Sequence, residues 1–245
     1  MDYNFQRISN YGTTSPVVAR ILVQTSELFK FSNVSVESQE AICKILEERL
    51  YKRIINCYKI RIKILKKILL TQKEIENKTN QNPYIIDLDT NLYTFLYECK
   101  NFLRDLVGVF NEFYFTDFDE PSSFYNANSK GSIWVEQNFG AGDKITGLLK
   151  EAEPWIKEII FKRNTVEHHP KGYEGILVIE NFKRQSNGNL LKPIWYRDQN
   201  KYLTNKGPIT EVIQDINHAC CNMLILAEEL IAFSIEKNVQ KSSIL

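Results

Sequence analysis

Apolar residues recur at helical spacing along most of the chain. Between residues 90 and 115, Phe95, Cys99, Phe102, Leu106 and Phe110 fall three or four apart, which predicts a long helix with one buried stripe. A second stripe, Ile209, Val212, Ile213, Ile216, Cys220, Met223, Leu224, Ala227, Leu230 and Ile231, predicts a helix from about Pro208 to Lys237. Residues 17–30 predict a short helix. Ser35 then offers an N-cap with Glu37 in the first turn. From there the helical pattern continues without Gly or Pro to about Gln81. "NQNPYIIDLD" breaks it, and Asp89 can cap the next helix. Asp143 can start a short helix, and Pro154 fits the first turn of another, where its missing N–H is not needed. Trp155, Ile156, Ile159 and Ile160 bury that helix, and Pro170 stops it.

The intervening segments have a different pattern. Residues 1–16 are polar and read as an arm. Residues 116–142, rich in Asp, Ser, Asn and Gly, read as a connector with a helical turn near Trp134. "EGILVIENF" and "LLKPIWYRD" have strand character and meet through Asn187-Gly188, a strong turn dipeptide. This predicts a hairpin at about 174–197. The expected architecture is all-α: an antiparallel bundle of long helices, with a small β-hairpin inserted before the last. It occupies one domain, 17–237, followed by a tail at 238–245.

Composition excludes some classes. With 43% apolar and 25% charged residues the chain is not disordered. No run approaches a membrane span, and the start lacks a signal-peptide layout. The five cysteines are scattered and none has metal-ligand spacing. They read as reduced core thiols of a cytoplasmic protein, with no cofactor.

Charge changes the picture more. The net +1 conceals eight basic and no acidic residues between Arg49 and Lys67, leaving −7 on the rest. At helical spacing Arg49, Lys52, Asn56, Lys59, Lys63, Lys66 and Lys67 share one face. Tyr51, Ile54, Ile55, Tyr58, Ile62, Leu65 and Leu69 fill the other side, facing the core. A solvated face is the ordinary origin of such a run. A basic track beside stacking aromatics is also how single-stranded RNA is held, and Trp195, Tyr196 and Arg197 could supply the stacking. A membrane surface is the least favoured of the three readings, because the bundle needs the apolar face.

One motif carries chemistry: "RNTVEHHP", residues 163–170, at the end of the helix that Pro170 stops. An arginine followed by Asn and, after four to six residues, by His arises by chance about 0.03 times in such a chain. Cleaving RNA without a metal uses the 2′-OH as nucleophile. The reaction needs a proton carrier near neutral pKa and a fixed cation for the phosphorane charge. Histidine suits the first role and arginine the second. We assign Arg163 to phosphate stabilisation and His168 to proton transfer, with His169 fitting the spacing as well. On a straight helix Arg163 and His168 point about 140° apart. A helix ending near His168, or a cleft shared with a second copy, would bring them together. Asn164 lies between the two in angle and can bind substrate or cap the last turn. The plain alternative is that Arg163 pairs with Glu167 four residues on and the histidines meet the negative helix end. Glu98, Asn101, Asp105 and Glu112 make a polar edge on the preceding long helix. Asp105 there is a candidate for orienting Arg163, although a solvated face explains that edge equally.

"FKRNTVEHHP", with the preceding helix "LYTFLYECKNFLRDLVGVFNEFY", resembles the HEPN superfamily, whose motif is Arg, often Asn, four to six residues, then His. The likeness covers roughly residues 36–237 and is sharp only at the motif. It implies a metal-independent endoribonuclease that dimerises to bring two motifs to one cleft. Toxin, phage-defence or RNA-processing settings follow, with RNA, including tRNA, as substrate and an antitoxin or defence component as partner. Other members are catalytically silent and bind nucleotides, RNA or proteins.

Overall fold

The computed structural model describes residues 15–77, 83–124, 130–167, 175–184, 186, 190–198 and 208–241. The N-terminal arm before residue 15, the Asn187-Gly188 turn, and His168, His169 and Pro170 lie outside the described residues. The described chain is mostly helical, with a small antiparallel sheet before the last helix.

A π-helical turn, Val18–Val23, leads into α1 (Gln24–Phe29), the short helix expected at 17–30. Ser35 caps α2 (Val36–Ile45), its hydroxyl accepting from the Ser38 N–H at 3.2 Å. A π-turn, Leu46–Leu50, joins α2 to α3 (Tyr51–Glu76). Next come α4 (Leu88–Tyr114), a 3₁₀ turn at Pro121–Phe124 and α5 (Lys130–Phe139), a longer helix than the single turn expected near Trp134. Asp89 does not cap α4 but lies inside its first turn. The chain enters through Asp87, at φ +62°, whose carbonyl accepts from the Asn91 N–H at 3.1 Å.

The segment from Asp143 is one helix rather than two. The Asp143 carboxylate accepts from the Ile145 N–H at 3.0 Å and starts α6 (Lys144–Glu167). Pro154 is interior to it. A proline there leaves one carbonyl four residues back without its helical donor. Pro154 and Lys150 are both exposed, so water can fill that gap. The strands are β1 (Ile176–Glu180), β2 (Lys183–Arg184), β3 (Leu190–Leu191), β4 (Ile194–Asp198) and β5 (Thr210–Glu211). β1 pairs antiparallel with β4, and β2 with β3, as a long hairpin requires. The pattern missed β5. Thr210 pairs with Trp195, so the last helix, α7 (Val212–Lys241), starts at Val212 and leaves Ile209 55% exposed before it. It also runs four residues past the expected end. By length and composition α7 could cross a membrane, contrary to the sequence reading. Yet 56% of its most apolar window is buried, as in a core helix.

The described residues form two compact units, one drawn from Met1–Ile55, Asn101–Pro154 and Asn222–Leu245, the other from Asn56–Lys100 and Trp155–Cys221. The first unit holds an aromatic cluster around the fully buried Phe110, whose ring lies 4.6 Å from Tyr114, 5.7 Å from Phe124 and 5.6 Å from Trp134. The Tyr114 hydroxyl donates to Ser234 Oγ at 2.9 Å, and burial raises its pKa. α5 packs on the 3₁₀ turn so closely that a Cβ on Gly131 would lie 2.4 Å from the Ser123 carbonyl oxygen.

In the second unit α3 and α4 are antiparallel. The Cys57 and Cys99 sulfurs meet at 3.8 Å, while Lys67 Nζ donates to the Ile86 carbonyl at 2.8 Å. Cys57, Cys99 and Cys220 are core thiols as expected, and burial raises the pKa of Cys99 and Cys220. Cys221, however, is exposed and Cys43 half-buried.

Candidate functional site

The motif helix is fixed from one side by a buried polar cluster. Lys162, 1% exposed, donates to Asp215 Oδ2 at 2.5 Å, lies 3.6 Å from Glu158 and sits 4.5 Å from the centroid of the Trp195 ring. The same Asp215 oxygen accepts from Trp195 Nε1 at 2.7 Å and from the Thr210 hydroxyl at 2.9 Å. Arg197 bonds Glu158 at 3.2 Å and covers the Phe161 ring at 4.9 Å. Trp195, Tyr196 and Arg197 are thus all buried, and the sheet packs against the motif helix. They are not the exposed stacking surface the sequence suggested.

Arg163 follows Lys162 on the other side of α6. Its guanidinium donates to Glu167 Oε1 at 2.6 Å, the i,i+4 pair foreseen as the plain alternative. Lys100 Nζ lies 4.0 Å from the other Glu167 oxygen. Asn164 is half-buried on the same turn, and the Thr165 hydroxyl donates back to the Lys162 carbonyl at 2.6 Å. Helix α6 is described to Glu167, so the angle between Arg163 and the histidines falls outside the described residues.

Most of the polar edge of α4 is buried rather than solvated: Glu98, Asn101 and Asp105 are 8–9% exposed, while Glu112 is half-buried. Asp105 faces Arg53 at 3.7 Å and Arg49 at 3.9 Å. Burial raises its pKa, opposed by the charges of Arg53, Arg49 and Arg104. In the other unit, Asn56 donates to Glu98 at 3.2 Å. Glu167 meets Arg163, and Asp105 faces Arg49 and Arg53.

The basic face divides accordingly. Arg49 is partly engaged by Asp105. Lys52, Lys59, Lys63 and Lys66 are exposed, while Lys67 is half-buried and lies 3.7 Å from Asp87. The buried line on α3 runs through Ile54, Cys57, Ile64, Ile68 and Thr71. Ile62 and Leu69, expected in the core, are 46% and 56% exposed among the lysines.

Beside Arg163 opens a cleft of about 380 Å³ lined by Tyr93, Thr94, Leu96, Tyr97, Arg163, Val166 and Glu167. Leu96 is buried, whereas Tyr93 and Tyr97 are 41% and 52% exposed. Burial, with Asp89 nearby, raises the Tyr93 pKa and keeps its hydroxyl a donor. The sequence reading did not single out this pair. The available signal was two aromatics four residues apart on the face of α4 away from its apolar stripe. The cleft thus combines a cation, aromatic walls and a polar rim, next to the residues from which the histidines follow.

Set against known proteins, the chain matches no family model, no curated protein and no solved structure.

Proposed function

We propose that the chain is a HEPN-like, metal-independent endoribonuclease. The supporting observation is that Arg163, anchored through its neighbour Lys162, lines a cleft at the end of α6, with His168 and His169 next in sequence after Glu167. The chemistry follows from those residue types. The 2′-oxygen attacks phosphorus, the P–O5′ bond breaks, and His168 or His169 moves the proton from the 2′-OH or to the leaving oxygen. Arg163 holds the extra phosphorane charge. Asn164 binds substrate beside it, and the exposed lysines of α3 attract the RNA backbone. On this reading the long helices pack as an antiparallel bundle and two copies assemble the cleft. The substrate is cytoplasmic RNA, tRNA included, in a toxin, defence or processing setting with an antitoxin or defence partner.

Cleavage of total tRNA and of generic single-stranded RNA in EDTA tests the proposal. Wild type should cleave, and Arg163→Ala and the double variant His168→Ala/His169→Ala should lose cleavage while keeping wild-type helicity. Activity abolished by EDTA would refute the mechanism. The Arg163–Glu167 pair favours a second reading, a catalytically silent HEPN-like module binding nucleotide, RNA or a partner protein. That module binds RNA, with the binding lost in Arg163→Ala, and cleaves none.

A further inference from the structure

We infer that Tyr93 and Tyr97 form a ledge on which unpaired bases stack, so that the cleft takes single-stranded RNA with a phosphate directed to Arg163; this rests on the ribonuclease reading for the identity of the polymer. Helix α4 is buried around most of its circumference, with Leu92, Phe95, Leu96 and Cys99 at 0% exposure. Tyr93, Thr94 and Tyr97 break that pattern and share one wall of the cleft with Arg163 opposite. Single exposed tyrosines need no explanation. Two on one cleft wall, about 6 Å apart along the helix axis, present adjacent ring surfaces beside a guanidinium. Among the described residues neither hydroxyl has a hydrogen-bond partner, so the rings are not held outward by a structural bond.

Two features point to a nucleic acid strand. The cleft volume, about 380 Å³, is near the lower end of ligand sites, roughly 300–1,000 Å³, and suits a nucleotide unit rather than a broad protein surface. Aromatic faces next to a cation are what sequence-tolerant strand binding uses, because every base has a π-face and every linkage a charge. A base-paired duplex hides its base faces and could not use the ledge. Glu167 is the competing anion: a phosphate reaching Arg163 must displace or share that carboxylate.

The test measures binding apart from cleavage, using a labelled 2′-O-methyl oligouridine, which cannot be cut, and a matched duplex in fluorescence anisotropy. Wild type should bind the single strand at least tenfold more tightly than the duplex. Tyr93→Leu and Tyr97→Leu should each weaken single-strand binding about tenfold, with unchanged helicity. Tyr93→Phe and Tyr97→Phe should stay within twofold, since stacking needs the ring and not the hydroxyl. Leucine variants that bind as wild type does, or equal affinity for duplex, would overturn the ledge and leave the ribonuclease reading standing. Tyrosine-dependent binding in a protein that cleaves no RNA would uphold the ledge and refute the nuclease. No binding by wild type would overturn both.

Discussion

Removing the Asp215 carboxylate tests how the motif helix is held. Its oxygen accepts from Lys162, Trp195 and Thr210, and both Lys162 and Trp195 are at most 2% exposed. Asp215→Ala leaves the Lys162 ammonium buried with, among the described residues, only Glu158, at 3.6 Å, as a carboxylate neighbour, and leaves the indole N–H without its acceptor. Breaking a buried pair from one side costs about 3–5 kcal/mol. The surviving Glu158 argues for the low end, about 3 kcal/mol. At roughly 2–4 °C per kcal/mol for a chain of this length, that is a fall of about 6–12 °C in Tm. Lys162→Met removes the charge from the opposite side. The Asp215 side chain is 28% exposed, so it can be hydrated and can still accept from Trp195 and Thr210. That variant should cost about 1 kcal/mol or less. In the Lys162→Met background, Asp215→Ala should then cost at least about 1.5 kcal/mol less than it does alone. Urea denaturation of the four proteins, with m-values compared, measures the cycle. A Lys162→Met loss equal to or larger than that of Asp215→Ala would refute the reasoning, as would additivity.

Two further outcomes are expected. Burial raises the Asp105 pKa above the ordinary 3.8, so between that value and the higher folded one the native state holds more protons than the unfolded state. Its contribution to stability is therefore present below 3.8 and lost as pH rises through the folded pKa; Asp105→Asn lacks this loss and should gain on wild type between pH 4 and 7 in urea titrations. Gly147 and Gly131 both lie inside helices, but a Cβ meets nothing within 4 Å at Gly147 and the Ser123 carbonyl at 2.4 Å at Gly131. Gly147→Ala should stabilise by about 0.5–1 kcal/mol, and Gly131→Ala should destabilise by about 1–3 kcal/mol, read as opposite shifts in Tm.

What was legible in the sequence was local. The stripe of α4, the Ser35 cap, the Asp143 helix start and the β1–β4 hairpin each follow from residues within one or two turns of each other. The sequence misled where the deciding partner is distant. Glu98 and Asp105 read as a helix edge because nothing on α4 shows that Asn56 and Arg53 come to meet them. Nothing in the helical run around Lys162 marks it as buried, and Asp215 and Trp195, 53 and 33 residues on, are what make that burial tolerable. Strand β5 is two residues long, too short for any periodicity, and exists because β4 offers it an edge. Pro154 read as a helix start because its exposure, which makes an interior proline affordable, is a property of the fold. At the candidate site Arg163 and its pairing with Glu167 were legible. The tyrosine wall was not, since an exposed aromatic becomes meaningful only once a cleft forms beside it.

The π-turn at Leu46–Leu50 has a consequence for chain length. Ile42, Leu46, Leu50 and Ile54 are four apart and at most 1% exposed. In an α-helix a step of four overshoots a full turn by about 40°, so these anchors would drift by about 120° from first to last. The wider π-turn takes up part of that overshoot and keeps the four in phase. Its surplus residue is stored among Glu47, Glu48 and Arg49, which face outward. Dropping one of them would return the segment to an α-helix whose anchors stand four, three and four apart and stay within about 60° of one another, so the chain can change length by one residue here while the core anchors keep their direction.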